Sequence, residues 1–102
     1  MESSFYLMNI NDMGLSTFYQ VEFIIDNEIQ SLLTVEIAGE KLQSIDCNPV
    51  DPSAKIRLIE DTRMGYSTTF IYAGEYFTEA RILYMLERAH EEYDDEVIEG
   101  DL

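Results

Sequence analysis

Several residue types that support particular chemistries are almost missing from this chain. Its 102 residues include no tryptophan, one cysteine and one histidine. A single cysteine, Cys47, cannot form a disulfide within the chain, and this favours a reducing compartment. One cysteine and one histidine also fall short of the ligand set of a structural zinc site. The sequence therefore predicts neither a disulfide nor a zinc centre.

Glycine is also scarce, and its spacing excludes the common phosphate-binding loops. The five glycines stand at positions 14, 39, 65, 74 and 100, too far apart for a P-loop or a dinucleotide fingerprint. A nucleophile and base pair would have to combine Cys47 with His90, and no neighbour in the sequence lowers the thiol pKa of Cys47. We therefore expect no cofactor and no enzymatic activity. We interpret Cys47 as a small core residue and His90 as a residue beside the buried stripe of a helix.

The acidic residues near the C-terminus do not match a calcium-binding loop. In an EF-hand loop that began at Asp95, Gly100 would occupy the sixth position as required, but Val97 would occupy the third position, which needs an oxygen ligand. The sequence therefore predicts no dedicated metal site.

No apolar run in the chain approaches the length that crosses a bilayer. The first residues carry an acid at position 2 and no basic segment, unlike a signal peptide. From these two observations we expect a cytoplasmic protein, in its own cell or in an infected host.

Basic residues are few, and this gives the chain its most unusual property. Six Lys and Arg stand against 21 Asp and Glu, for a net charge of −15 and a pI near 4.1. Such a field repels nucleic acid and anionic membranes and speeds encounter with basic partners, most of all at low salt. Solubility is the alternative explanation of an acidic composition. The acids concentrate towards the end of the chain, with eight in residues 1–50 and thirteen in residues 51–102.

Two segments near the middle alternate between apolar and polar residues, as half-buried strands do. They are residues 17–26 and 29–37. A three-residue loop from Asp26 to Glu28 would keep the apolar faces together, because it places Ile25 opposite Ile29. The same register places Val21 opposite Leu33 and Tyr19 opposite Val35.

Further strands are predicted on both sides of this hairpin. Residues 42–47 form a shorter strand, residues 54–60 and 66–73 form a second hairpin, and residues 4–10 supply a sixth possible strand. The second hairpin would place Ile56 opposite Phe70 and Leu58 opposite Thr68. A loop that contains Pro49 and Pro52 separates the two hairpins.

The pattern changes to helical spacing over residues 77–93. Thr78 suits the N-cap, and Phe77 and Ile82 stand where a hydrophobic staple would place them. The sequence thus predicts an α+β domain at residues 1–93, in which an antiparallel sheet of about five to six strands packs against one C-terminal amphipathic helix. Residues 94–102 are predicted to form a mobile acidic tail.

The acidic helix face and tail suggest a binding role. A small acidic module could block a basic, nucleic-acid-binding surface of a partner. Nuclease inhibitors, immunity proteins and viral anti-defence proteins commonly have this size and charge. The candidate contact residues are Tyr84, Glu87, Glu91, Glu92, Asp94, Asp95 and Glu96. We expect the partner to be a basic protein and expect no direct contact with nucleic acid or membrane.

Two alternatives stay open at this point. The chain could be a small enzyme or ligand-binding domain with a pocket between sheet and helix. It could also be a structural subunit that self-assembles through a strand edge into a homo-oligomer. Salt dependence separates the first alternative from charge recognition, because only a charge-based complex weakens steeply as salt rises.

Overall fold

The computed structural model describes residues 2–61 and 67–100, with side chains described for residues 2–58 and 68–94. The described part contains seven strands and one helix. They are β1 (Ser3–Asp12), β2 (Thr17–Ile25), β3 (Glu28–Ala38), β4 (Lys41–Pro49), β5 (Ile56–Asp61), β6 (Ser67–Tyr72), β7 (Glu75–Phe77) and α1 (Glu79–Gly100). The α+β class and the antiparallel pairing are confirmed, but the single sheet is wrong. The strands form one sheet in the order β1-β2-β3-β4 and another in the order β5-β6-β7.

The chain passes from the first sheet to the second through a segment that contains two prolines. Strand β4 ends at Pro49, and Pro52 follows in the connection to β5. Because proline has no N–H to donate, it does not continue a hydrogen-bonded ladder. The chain instead leaves the first sheet, where the Val50 N–H donates to the Gln30 carbonyl at 2.9 Å. The second sheet then packs against the inner face of the first, where the Tyr72 hydroxyl donates to the same carbonyl at 3.4 Å.

The β2–β3 hairpin follows the predicted register except beside its turn. Val21 lies opposite Leu33, and Tyr19 lies opposite Val35, as predicted. The three-residue loop is wrong: Asp26 and Asn27 alone form the turn, with φ angles of 51° and 68°, the left-handed values that a two-residue hairpin turn requires.

A bulge corrects the register change that this shorter turn introduces. Ile25 pairs with Glu28 rather than with Ile29, and the register shifts at Gln30 before Phe23 meets Ser31. A β-bulge accommodates one extra residue and keeps the side chains beyond it on the required face. Ile29 therefore lies opposite Ile24 on the outer face, rather than with the core residues of its strand.

The second hairpin differs from its predicted register by two residues. Ile56 lies opposite Tyr72, and Leu58 lies opposite Phe70. A shift of two preserves the face of every side chain, because side chains alternate with a period of two. The sequence pattern could therefore predict the faces but not the partners. Tyr66, at the start of the predicted strand 66–73, lies outside the described residues.

Strand β7 is absent from the sequence prediction, which passes directly from the second hairpin to the helix. Ala73 and Gly74 have φ angles of 50° and 85° and form the turn between β6 and β7. The strand is three residues long, too short to show a periodic pattern. It brings Phe77 opposite Phe70 in the core.

Helix α1 begins as predicted. The Arg81 N–H donates to the Thr78 hydroxyl at 3.3 Å, and the Ile82 N–H donates to the Thr78 carbonyl at 2.9 Å. Phe77 and Ile82 are both 1% exposed, which fits the hydrophobic staple.

The helix continues beyond its predicted end at Tyr93 and reaches Gly100. Residues 101 and 102 lie outside the described residues, and the mobility of the 94–102 segment stays a prediction. Within the described residues, no helix is long and apolar enough to cross a membrane.

The core is centred on the ring of Phe23, which is fully buried. Its centroid lies 5.0 Å from that of Phe77, 5.3 Å from Tyr72, 5.8 Å from Phe70 and 6.0 Å from Phe5. All four contacts are edge-to-face, the arrangement that aromatic quadrupoles favour. Phe23 therefore joins β1 and β2 of one sheet to β6 and β7 of the other.

Truncation of this ring should cost more stability than any surface change. We expect Phe23→Ala to lower the free energy of unfolding by about 3–5 kcal/mol, because it removes a buried aromatic side chain and leaves a cavity between the sheets. Urea titration measures the loss. Leu15→Ala is the control, since Leu15 is 95% exposed and should change stability by no more than about 0.5 kcal/mol. Similar losses in the two variants would contradict a core centred on Phe23.

Candidate interaction surface

Helix α1 divides into a buried face and an exposed face. Four residues at helical spacing are nearly inaccessible: Ile82, Met85, Leu86 and Ala89. The half-buried Tyr93 packs against the same core. The buried face fixes the orientation of the helix, because it covers the apolar residues of both sheets. The side chains on the opposite face therefore point into solvent.

The exposed face carries every predicted contact residue whose side chain is described. These are Tyr84, Glu87, Glu91, Glu92 and Asp94. Asp95 and Glu96 belong to the helix, but their side chains lie outside the described ones. At 100° per residue, Tyr84 and Glu91 fall near the middle of the exposed face, with Glu87 and Asp94 on one side and Glu92 on the other. The structure thus brings these five residues onto one surface.

Arg88 is an additional residue of this surface that is absent from the predicted contact residues. It stands one turn after Tyr84 and one turn before Glu92. It is exposed like its neighbours. Its spacing was the available signal, because positions 84, 88 and 92 follow one another at intervals of one helical turn. The surface is therefore acidic but not uniform.

One helical acid does not belong to the surface. The Glu79 carboxylate accepts the Leu42 N–H of β4 at 2.9 Å. This hydrogen bond satisfies a backbone donor on the edge of the first sheet and ties it to the start of the helix. Glu79 is thus a structural residue.

Each flank of the exposed helix face borders the first sheet. On one flank, Glu87 and His90 line a shallow hollow of about 170 Å³ with Tyr19 and Ile37. The His90 ring lies edge-to-face with Tyr19 at 6.4 Å, and its Nε2 lies 3.9 Å from Asp94 Oδ1.

On the other flank, Tyr84, Arg88 and Glu92 form one wall of a groove of about 460 Å³. The opposite wall is the start of the first sheet: Glu2 and the first residues of β1, Ser3, Ser4 and Phe5. This groove is larger than the hollow on the first flank.

The outer face of the first sheet is a second surface that the sequence analysis did not single out. Met8, Ile29 and Leu32 lie between 43% and 52% exposed. Met8 and Leu32 line a hollow of about 310 Å³ together with Gln20 and Asn48. Asp46 lines the same hollow, and Glu22 lies opposite Leu32 on the same face, so this face combines exposed apolar side chains with carboxylates.

Cys47 is held among the core residues rather than presented to solvent. Its Sγ lies 2.9 Å from the Ser31 hydroxyl, and the residue is half-buried against the core. Burial raises the pKa of the Cys47 thiol, the Ser31 hydrogen bond opposes this rise, and the Asp46 carboxylate adds to it. Because the thiolate is the reactive form, these surroundings disfavour nucleophilic chemistry at neutral pH. Among the described residues, no group of three or more His, Cys, Asp or Glu could hold a metal ion.

Comparison with known proteins does not identify the chain: no family model, no curated protein and no solved structure matches it.

The raised pKa values predict a loss of stability at alkaline pH. Burial also raises the pKa of Tyr72, with added effects from Cys47 and Asp51. Both groups stay protonated in the folded chain at pH values where the unfolded chain ionises. Their contribution to stability is therefore complete below the unfolded pKa values, about 8.5 for Cys and about 10 for Tyr, and is lost as pH rises through the folded values.

Urea titrations from neutral to alkaline pH measure this effect. Cys47→Ala should flatten the earlier part of the decline and leave the part due to Tyr72. Identical pH profiles for the parent chain and Cys47→Ala would show that the thiol does not contribute.

Proposed function

We propose that this protein is an interaction module that binds a basic surface of a partner protein, of the type that normally holds nucleic acid, and thereby blocks it. The observation that carries the proposal is the exposed face of α1, where Tyr84 stands among the carboxylates of Glu87, Glu91, Glu92 and Asp94. The role fits an inhibitor, an immunity protein or a viral anti-defence protein.

The charge density of this face supports mimicry of a nucleic-acid strand. From Glu87 to Asp94 the helix rises about 10 Å. Four carboxylates and the Arg88 guanidinium lie within this length, a net of three negative charges. The spacing is about 3.5 Å per net charge, close to the roughly 3.4 Å per charge of one DNA strand. A groove that accepts a phosphate backbone would therefore meet a similar field on this helix.

The composition of the whole helix points in the same direction. Its 22 residues contain eight acids and two bases, and its last turn contains no basic residue. Carboxylates near a helix C-terminus face its negative dipole end and cost a few tenths of a kcal/mol each, up to about 1. A charge arrangement that costs stability is more readily explained by use than by solubility alone, which dispersed acids would provide equally well.

Tyr84 supplies the apolar contact that charge alone lacks. Its side chain is 62% exposed at the middle of the acidic face. Tyrosine is enriched among residues that dominate binding energy, since it buries a large area at low entropic cost. The carboxylates around such an anchor speed the encounter with the partner and fix the register in which it binds, and they contribute less to affinity.

A charge-matched pair of variants tests where recognition occurs. Glu87→Gln with Glu91→Gln and Glu28→Gln with Glu40→Gln each change the net charge from −15 to −13. Glu28 and Glu40 are exposed residues at the turns of the first sheet. We expect the helix variant to bind the partner about tenfold more weakly and the turn variant to bind it like the parent.

The measurement uses a defined partner. Host-cell proteins that bind the immobilised chain at low salt are eluted with double-stranded DNA, and the eluted protein is purified and titrated against both variants over a range of salt. If DNA elutes none of the captured proteins, the proposed mimicry is refuted. Equal weakening by the two variants would place recognition in the overall charge rather than on α1.

Tyr84→Ala tests the anchor separately. We expect the Kd for the same partner to rise at least tenfold, because a central aromatic contact is lost. The free energy of unfolding should change by no more than about 0.5 kcal/mol, because the side chain is exposed. Tyr76→Ala is the matched control, since Tyr76 is 60% exposed on β7. Equal effects of the two tyrosines on binding would contradict an anchor at Tyr84.

A further inference from the structure

The first strand of the first sheet has an open edge. Strand β1 lies at the end of the order β1-β2-β3-β4, so it pairs with β2 on one side and, within the described residues, with no strand on the other. An edge strand presents a row of backbone N–H and C=O groups to which an extended segment can add.

The hydrogen-bond pattern shows which backbone groups point to this edge. The Asp26 N–H donates to the Glu2 carbonyl at 2.9 Å. In an antiparallel ladder, hydrogen-bonded and non-hydrogen-bonded pairs alternate. Ser4 and Tyr6 therefore face β2, whereas the N–H and C=O groups of Ser3, Phe5 and Leu7 point away from it.

The groove between β1 and α1 lies beside this edge. Arg81 fixes one end, where its Nη2 donates to the Ser3 hydroxyl at 3.0 Å. At the other end Tyr93 and Glu92 adjoin Leu7. Strand and helix thus run side by side in the same direction. From Tyr84 to Glu92 the helix rises about 12 Å, the length of roughly four residues of extended chain.

We propose that this groove binds an extended basic segment of the partner, which adds to the free edge of β1 as a further strand. The proposal rests on the proposed function and names the form in which the partner is recognised. Residues of the added strand that lie opposite Ser3, Phe5 and Leu7 point towards the helix, because directly opposed residues share a face.

The groove lining gives a sequence preference for those three residues. The middle one meets the apolar floor of the groove, formed by Phe5, Met85 and Ala89. These residues are only 3–6% exposed, so the floor favours a small aliphatic side chain. The outer two lie about 13 Å apart, near Glu2 at one end and Glu92 at the other, which favours lysine or arginine. Arg88, on the wall between them, disfavours a base at the middle position. The preferred segment therefore reads basic, any, aliphatic, any, basic.

A short capped peptide, Thr-Lys-Thr-Val-Thr-Lys-Thr, is the probe, and amide hydrogen exchange followed by NMR is the measurement. On binding, exchange at Ser3, Phe5 and Leu7 should slow by at least about fivefold as each gains a backbone partner. Ser4 and Tyr6 should change little. Shift changes on α1 or on the outer sheet face without protection of the β1 edge would overturn the proposal.

Matched controls separate edge pairing from charge. Ser3→Pro and Ser3→Ala both remove the hydroxyl that accepts from Arg81, but only Ser3→Pro also removes an outward N–H. Ser3→Pro should therefore bind the peptide several-fold more weakly than Ser3→Ala. N-methylation of the peptide valine removes the N–H that would donate to the Phe5 carbonyl, and so tests edge pairing without altering the protein. The peptide with glutamate in place of lysine should not bind. Equal binding of the methylated peptide would also overturn the proposal, and so would dimerisation of the chain through β1 in place of peptide binding.

The outcome remains distinct from that of the proposed function. Suppose that the DNA-displaced partner binds Ser3→Pro as tightly as it binds the parent chain and does not slow exchange at the β1 amides. The acidic face then acts without strand addition. If no partner is displaced by DNA but the peptide pairs with β1, the groove recognises extended segments and the mimicry is wrong.

Discussion

The contact on which the rest of the structure depends is the set of rings around Phe23. The Phe23 ring makes edge-to-face contacts with four aromatic rings from both sheets, those of Phe5, Phe70, Tyr72 and Phe77. Neither sheet could bury its apolar face alone, because a three- or four-stranded antiparallel sheet leaves that face open to water. Once the two sheets are joined through these rings, a single amphipathic helix is enough to close the remaining opening over β1.

The packing of α1 over β1 also determines which helix residues face solvent. Since Met85 and Ala89 must face the core, the residues half a turn away must face solvent, and these include Tyr84 and Glu91. Arg81 fixes the same orientation from outside the core, through its ion pair with Glu75 at 2.8 Å and its position 4.1 Å above the Phe77 ring. The orientation of the acidic face is thus set by the core on which the helix packs, rather than by a loop.

Sequence patterns were informative wherever one face is buried and misleading wherever a local irregularity intervenes. Alternation along β2 and β3 correctly predicted that Val21 lies opposite Leu33, but it could not reveal the bulge at Gln30, because a bulge moves one residue without changing the apolar content of the strand. Alternation is equally blind to a two-residue slip, so it misplaced Ile56 against Phe70.

The division into two sheets was not predictable for a different reason. It depends on which strands share hydrogen bonds, and alternation reports only which side chains share a face. For the candidate site, helical spacing was sufficient to find the exposed acids. The groove beside them needs β1 to lie next to α1, and that contact joins residues as far apart in sequence as Ser3 and Arg81.

The same long separation has a consequence for how the chain folds. Every strand in the described part pairs with its neighbour in sequence, so hairpins can form from local contacts at little cost in loop closure. The docking of α1 on β1 is of the opposite kind, since it joins residues as far apart in sequence as Ser3 and Arg81. During synthesis, Phe5 and Leu7 are made well before the residues of α1 that cover them. Until α1 has been made, the nascent chain carries an uncovered apolar face beside a strand edge, and the concentrated negative charge of α1 arrives together with the residues that close that face.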